Sequence, residues 1–289
     1  KMRNNLINSI HADLIQLTNT KISKKEIEKY FIPIFEYINL SHKKKFLISG
    51  SQGIGKSTFL RILKKNNKKY YNKNILCLSL DDFYMNKSER KLLAKKIHPL
   101  FITRGVPGTH RIQKLLETIK KFENSLYPIN VPTFNKIKDT INYKERTIKK
   151  NCDILILEGW CCGCTQLDKN YLYKNINYLE KHYDSKNIWR DFYNNKLNNE
   201  YAGLFKKFDA TIYFKAYTFS NVYKWRLKQE KNNIKSFIGT AHSMNKYEIK
   251  NFIQHYEKIT KWMMKTMPKF ADINLNVDKN QKIKKISIS

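Results

Sequence analysis

The residues best suited to chemistry begin at Gly50. The run Gly50-Ser51-Gln52-Gly53-Ile54-Gly55-Lys56-Ser57-Thr58 fits the pattern Gly-x-x-x-x-Gly-Lys-Ser. Glycines permit positive φ and let backbone N–H groups close on a phosphate with no Cβ in the way. The helix that follows the loop aims its positive end at the same anion. Lys56 can then reach the terminal phosphates, and the Ser57 hydroxyl can ligate Mg²⁺. This Walker A pattern implies a nucleoside triphosphate held along Gly50 to Thr58. A turn that bound nothing would not need Lys56-Ser57 in register.

Such loops serve hydrolases and kinases alike, so the acids must discriminate. A kinase acting on a small alcohol needs one carboxylate near the acceptor hydroxyl and a second at Mg²⁺. It also needs cations around the transferring group. Asp81-Asp82 and Glu158 each end a short apolar run, and Arg226, Arg104 and His110 supply cationic or titratable groups elsewhere.

The elements that must position these groups follow from periodicity. Leu6, Ile10, Leu14 and Leu17 recur at helical spacing, and Ser23-Lys24-Lys25-Glu26 fits the capping box of a second helix. Short apolar runs at Lys45–Ser49, Ile75–Leu80, Asp153–Leu157 and Ala210–Phe214 read as strands, with a helix opening at Ser57. Strands apolar on both sides and separated by helical stretches predict a parallel sheet covered on both faces. Ligands of such sheets bind beyond the carboxyl ends of the strands, where the loop, Asp81-Asp82 and Glu158 all fall.

Bulk composition sets limits. The chain has 289 residues, 41% hydrophobic, enough for a large α/β domain and too apolar for disorder. Lys plus Arg exceed Asp plus Glu by 32 charges. That excess would attract phosphate-rich polymers, but it is spread end to end with Asn and Ile, as a genome-wide bias toward AT-rich codons would spread it. No basic stripe with interleaved aromatics marks a nucleic-acid site. Of five cysteines, Cys152, Cys161, Cys162 and Cys164 crowd one segment without zinc-ligand spacing and read as reduced thiols. Asp13 and Asn8 interrupt any signal-peptide core, and no run is long enough to span a membrane. The expectation is a cytoplasmic protein. Few Gly or Pro and no linker favour one domain over 1–289, with N-terminal helices at 1–44 and the core at 45–289.

Leu80-Asp81-Asp82-Phe83-Tyr84, Arg104-Gly105-Val106-Pro107-Gly108-Thr109-His110, Leu157-Glu158-Gly159-Trp160 and Trp225-Arg226-Leu227-Lys228-Gln229-Glu230 occur in that order. With the phosphate loop, this set resembles the D-glycerate 3-kinase family and its bacterial relatives, which belong with uridine kinases, phosphoribulokinases and pantothenate kinases. The likeness runs from about Phe46 through Phe252-Ile253-Gln254-His255-Tyr256-Glu257. It implies an α/β fold of the P-loop NTPase type with a helical lid and an acceptor-side insertion. It further implies ATP and Mg²⁺ as cofactors, Asp81 (or the adjacent Asp82) as base for the acceptor hydroxyl, Glu158 at Mg²⁺, and Arg226 as the lid arginine that closes on the phosphates. Asp82, Tyr84, Arg104 and His110 fall to the acceptor side. There Arg104 could pair a substrate carboxylate bidentately, and His110 could instead cap the helix near Arg111. Phe83, Tyr84 and Trp160 read as core or cleft wall.

The family commonly carries an acid where Arg111 stands and Asp where Asn135 stands in Pro132-Thr133-Phe134-Asn135-Lys136. Both departures are expected on the acceptor side. The resulting reading is an ATP-dependent phosphotransferase with an alcohol acceptor, D-glycerate giving 3-phosphoglycerate. A nucleoside or pantothenate-like acceptor, or a non-catalytic ATP-binding module, stays open beside it. The implied partners are ATP and a small hydroxylated acceptor, with neither nucleic acid nor membrane.

Overall fold

Phe46, Leu47 and Ile48 are all buried along β1 (Lys45–Gly50), so this strand must lie in a sheet covered on both faces. A computed structural model describes residues 1–18, 21–236 and 245–289, with backbone alone at 230–236. Helices α1 (Met2–Thr18), α2 (Lys24–Tyr30) and α3 (Ile32–Leu40) precede β1. The predicted capping box opens α2: the Glu26 N–H donates to Ser23 Oγ at 3.2 Å, and the Ser23 N–H donates to Glu26 Oε2 at 2.8 Å.

After β1 come α4 (Lys56–Tyr71), β2 (Ile75–Ser79), α5 (Lys87–Lys96) and α6 (Ile112–Glu123). Then follow β3 (Ile129–Val131), β4 (Phe134–Asn135), β5 (Thr140–Ile141), β6 (Arg146–Ile148) and β7 (Ile154–Gly159). Helices α7 (Lys169–Tyr173), α8 (Tyr178–Tyr183), α9 (Ile188–Lys196) and α10 (Ala202–Phe205) lead to β8 (Ala210–Ala216). The described chain ends with α11 (Phe219–Ser236), α12 (Lys246–Thr266), β9 (Ile273–Val277) and β10 (Ile283–Ile288).

The main sheet runs β10-β9-β8-β1-β7-β2, parallel throughout except for the antiparallel edge strand β10. Alternate residues feed two cores. Phe46, Ile48, Ile156 and Phe214 pack beneath α1–α4, while Leu47, Leu157 and Tyr213 pack with Leu115 of α6, Trp189 of α9 and Met263 of α12. The four expected strands are present, each with an end shifted by one or two residues. β2 stops at Ser79 because Leu80–Phe83 winds into a short 3₁₀ turn carrying Asp81 and Asp82. β9 and β10 were not anticipated: β9 alternates apolar residues with Asn274 and Asn276, and β10 is half-exposed. Neither has the apolar run that marked the central strands.

Register aligns the carboxyl ends. Glu158 lies opposite Ile48 on one side and Ser79 on the other. The ends of β1, β2 and β7 therefore open on one edge. Among the described residues no helix is long and apolar enough to cross a membrane.

Candidate active site

Gly53 and Gly55 hold φ of +76° and +111°, so the chain curls between β1 and α4 in a conformation that L side chains rarely adopt. A Cβ at Gly53 would meet Trp225 Cβ at 2.7 Å, whereas one at Gly55 would enter open space. The loop is thus packed on α11 on one side and clear on the other. Lys56 Nζ donates to the Gly50 carbonyl at 2.5 Å and the Ser51 carbonyl at 3.1 Å, inside the curl. Burial lowers the Lys56 pKa, and the carboxylates of Glu158 and Asp81 pull it back up.

Gln52, Gly53, Lys56 and Ser57 form one wall of a cleft of about 130 Å³; Asp81, Tyr84, Arg104, Glu158 and Arg226 also line it. Three strand ends thus deliver the predicted lysine, aspartate and glutamate to the same space. Glu158 Oε1 accepts from Ser79 Oγ at 2.7 Å; burial raises its pKa against the pull of Lys56. Asp81 is bound at both oxygens, Oδ1 by the Tyr84 hydroxyl at 2.6 Å and Oδ2 by Lys136 Nζ at 2.6 Å. Burial alone would push this carboxyl up, but Lys136 and the Tyr84 hydroxyl outweigh it and hold the pKa at about 2. Asp81 is therefore ionised at neutral pH, as a proton acceptor must be.

The segment 104–110 is fixed from behind. Trp160 Nε1 donates to the Gly105 carbonyl at 2.9 Å, and the Tyr256 hydroxyl donates to the Arg104 carbonyl at 2.6 Å. The Arg104 guanidinium stays at the cleft, donating from Nη1 to Asp139 Oδ1 at 2.6 Å. Across the cleft, α11 brings Arg226 over the Phe252 ring at 5.4 Å. In the run Trp225–Glu230, the Glu230 side chain lies outside the described residues.

Two acceptor-side candidates stand behind the cleft wall. Asp82 Oδ1 accepts the Phe134 N–H at 3.2 Å and so anchors β4. The His110 ring is buried against Tyr84, with ring centroids 4.9 Å apart, and its Nδ1 shares a 2.6 Å hydrogen bond with the Tyr201 hydroxyl. Burial lowers the His110 pKa to about 4, with Asp81 pulling the other way, so the ring is neutral. No side chain caps α6, so the capping alternative for His110 does not hold.

The two departures from the family pattern also find places, and one corrects the expectation. Arg111 does not reach the acceptor side: its Nη2 donates to Glu89 Oε2 at 2.7 Å, at the start of α5. Asn135 does lie beside the cleft, where its Oδ1 accepts the N–H groups of Ile137 at 3.0 Å and Lys138 at 2.9 Å. Sequence reasoning missed Lys136 as a site residue, although it ends the Pro132–Lys136 run, and it missed Asp139, which nothing in the pattern marked. Beyond the loop lies an apolar hollow of about 320 Å³, bordered by Ile54, Gly55, Thr58, Phe59, Trp225 and Gln281.

This fold and this cleft define a P-loop phosphotransferase. No family model matches the chain. It is 31% identical over 221 residues to the uncharacterized kinase mug58 of Schizosaccharomyces pombe, covering 72% of this chain and 76% of that protein. It is 29% identical over 279 residues to the probable ATP-dependent kinase TDA10 of Saccharomyces cerevisiae, covering 89% and 92%. Chloroplastic D-glycerate 3-kinase of Arabidopsis thaliana is 26% identical over 276 residues, covering 84% and 56%. The fold matches that of a D-glycerate 3-kinase from Cryptococcus neoformans with a TM-score of 0.69 at 19% identity, over 100% of this chain and 99% of that one. The chain belongs to this family of ATP-dependent P-loop kinases, the glycerate kinase and TDA10 group.

Proposed function

We propose that this kinase moves the γ-phosphoryl group of ATP to a hydroxyl of a small hydroxy acid, D-glycerate giving 3-phosphoglycerate. One observation carries the reading: Lys56 and Ser57 share a single cleft with an ionised acid, Asp81, and a guanidinium, Arg104. A hydroxy acid matches that pair, its hydroxyl meeting Asp81 and its carboxylate meeting Arg104. The relatedness to D-glycerate 3-kinase supports the same acceptor.

In this reading the acceptor oxygen bonds to the γ-phosphorus as the bond to the β-phosphate oxygen breaks. ADP leaves, and the hydroxyl proton passes to Asp81. Lys56 and Arg226 set positive charge around the phosphoryl oxygens before the reaction begins, which is where most of the rate comes from in such transfers. Tyr84 aims Asp81, and Asp82 and His110 act one contact back, through Phe134 and Tyr84. Ser57 and Glu158 offer hard oxygen donors on the same cleft, and Mg²⁺ ordinarily takes its remaining ligands from water and phosphate. These two residues would hold it, and when bound it would neutralise charge on the β- and γ-phosphates.

The apolar hollow suits the base of ATP, since Gly55 and Thr58 of the loop form its border. We take residues 1–289 to act as one domain, because β1 and β10, near opposite ends of the chain, belong to the same six-stranded sheet. The unpaired thiols, of which Cys161, Cys162 and Cys164 are buried, suit a cytoplasm.

The test is ADP release measured with D-glycerate, pantothenate and nucleosides. Stimulation by D-glycerate supports the proposal. Stimulation by another acceptor alone overturns the substrate, and ATP bound without stimulation by any acceptor points to a non-catalytic module.

A further inference from the structure

We infer that Lys136 is a positioning residue that aims Asp81 and limits the length of the acceptor, an inference that rests on the hydroxy-acid reading above. Lys136 touches both ends of the acceptor side. Its ammonium donates to Asp81 Oδ2 at 2.6 Å, and its carbonyl accepts from Arg104 Nη2 at 3.2 Å. Arg104 Nη1 meets Asp139 in the same turn, and Asp139 also binds the buried Arg90 at 3.1 Å through Nη1. Asn135 Oδ1 closes the start of the turn on two N–H groups. One short turn therefore ties the acid to the guanidinium.

Fold stability alone does not explain the Lys136–Asp81 pair. The lysine side chain is 58% exposed and the aspartate 25%, so solvent and lost side-chain entropy offset part of what the pair contributes. A long flexible side chain drawn onto the one acid of the cleft flanked by a tyrosine hydroxyl serves the aim of that acid instead. With Tyr84 on Oδ1 and Lys136 on Oδ2, rotation of the carboxylate is blocked from both sides, while each oxygen keeps a further lone pair for a hydroxyl.

The same residue sets a span. The carboxylate of Asp81 and the guanidinium of Arg104 lie no farther apart than one lysine can reach from carbonyl to ammonium, plus a hydrogen bond at each end. An acceptor whose carboxylate sits on Arg104 and whose hydroxyl meets Asp81 must fit within that reach. A short hydroxy acid does. A chain with an amide between hydroxyl and carboxylate comes nearer that limit, and a nucleoside has no carboxylate to offer.

The experiment compares wild type, Lys136→Met and Lys136→Arg on D-glycerate, longer straight-chain sugar acids and pantothenate, recording kcat and KM for each acceptor and for ATP. Lys136→Met should lower kcat on D-glycerate by about 10²-fold with KM for ATP unchanged, the usual scale for a misaimed group. Its preference for D-glycerate over the longer acids should fall by about 10-fold. Lys136→Arg should recover part of kcat, and an unchanged thermal midpoint in Lys136→Met separates aim from folding. D-glycerate turnover with wild-type kcat and preference in Lys136→Met overturns the role of Lys136 alone. Wild-type turnover of pantothenate or a nucleoside, and not of D-glycerate, overturns the acceptor reading and the length limit with it.

Discussion

Replacing Asp81 with Asn tests the chemistry at its most exposed point. The carboxylate takes a hydroxyl from Tyr84 and an ammonium from Lys136, both at 2.6 Å. An amide has one acceptor oxygen; turned toward Lys136, it leaves its NH₂ facing the Tyr84 hydroxyl, which can accept as well as donate. The variant thus loses its proton acceptor while keeping both neighbours in contact. Removing a general base lowers rates by roughly 10²–10⁴-fold. A loose phosphoryl-transfer transition state moves the proton late, which favours the lower half of that range. The expected kcat is therefore down about 10²–10³-fold, or about 3–4 kcal/mol in barrier. ATP affinity should hold, because the loop that carries the phosphates is untouched. The assays are coupled ADP release for kcat and nucleotide displacement for affinity. Because Asp81 sits at a pKa of about 2, wild-type kcat should also show no acid limb from this group near neutral pH. Asp82→Asn is the control: its amide oxygen can still accept the Phe134 N–H, so both stability and kcat should be spared. Full turnover in Asp81→Asn, or collapse of turnover in Asp82→Asn alone, refutes the assignment of the base.

Three further outcomes are expected. Gly53→Ala forces a side chain into φ +76° and onto Trp225 at 2.7 Å, so ATP affinity should drop by at least about 10-fold, measured by displacement; unchanged affinity would mean the loop can move off α11 freely. Arg111→Ala removes a side chain paired with Glu89 away from the cleft, so the KM for the acceptor should not change, and a rise would put Arg111 back at the site. His110 and His255 are buried, with desolvation pushing both pKa values from the ordinary 6.5 to about 4. The unfolded chain therefore binds more protons between those values, and stability falls as pH drops through that window by up to about 3 kcal/mol per ring. Thermal midpoints should fall most steeply from pH 6 to 4, and His255→Asn should flatten the slope; an identical slope in that variant would exclude the ring as its source.

How much of this was legible in the sequence depended on how local each device is. The phosphate loop is built from consecutive residues whose φ values and helix start are set by their own types, so Gly50 to Thr58 could be read directly. The central strands were legible because apolar runs such as Ile154 to Leu157 have no other stable place. β9 escaped because Asn274 and Asn276 break its apolar run, and β10 because an edge strand needs only one buried face. At the site, Asp81 and Glu158 were legible as acids at strand ends. Lys136 and Asp139 were not, since a turn between two strands of two residues each carries no periodicity.

The departures at Arg111 and Asn135 show what a substitution at a marked position does and does not change. By residue type alone, both alter charge on the acceptor side. In the fold, Arg111 spends its charge on Glu89, and Asn135 supplies an oxygen to two backbone N–H groups. That second task needs an acceptor and no charge, so an amide performs it as a carboxylate would. Arg111 lies away from the cleft, and the Asn135 oxygen, which lacks the charge of an acid, ties the turn and does not line the cleft. Under the proposed hydroxy-acid reading, acceptor choice then rests on groups that the departures leave alone, Asp81, Arg104 and Lys136, and on the turn that joins them.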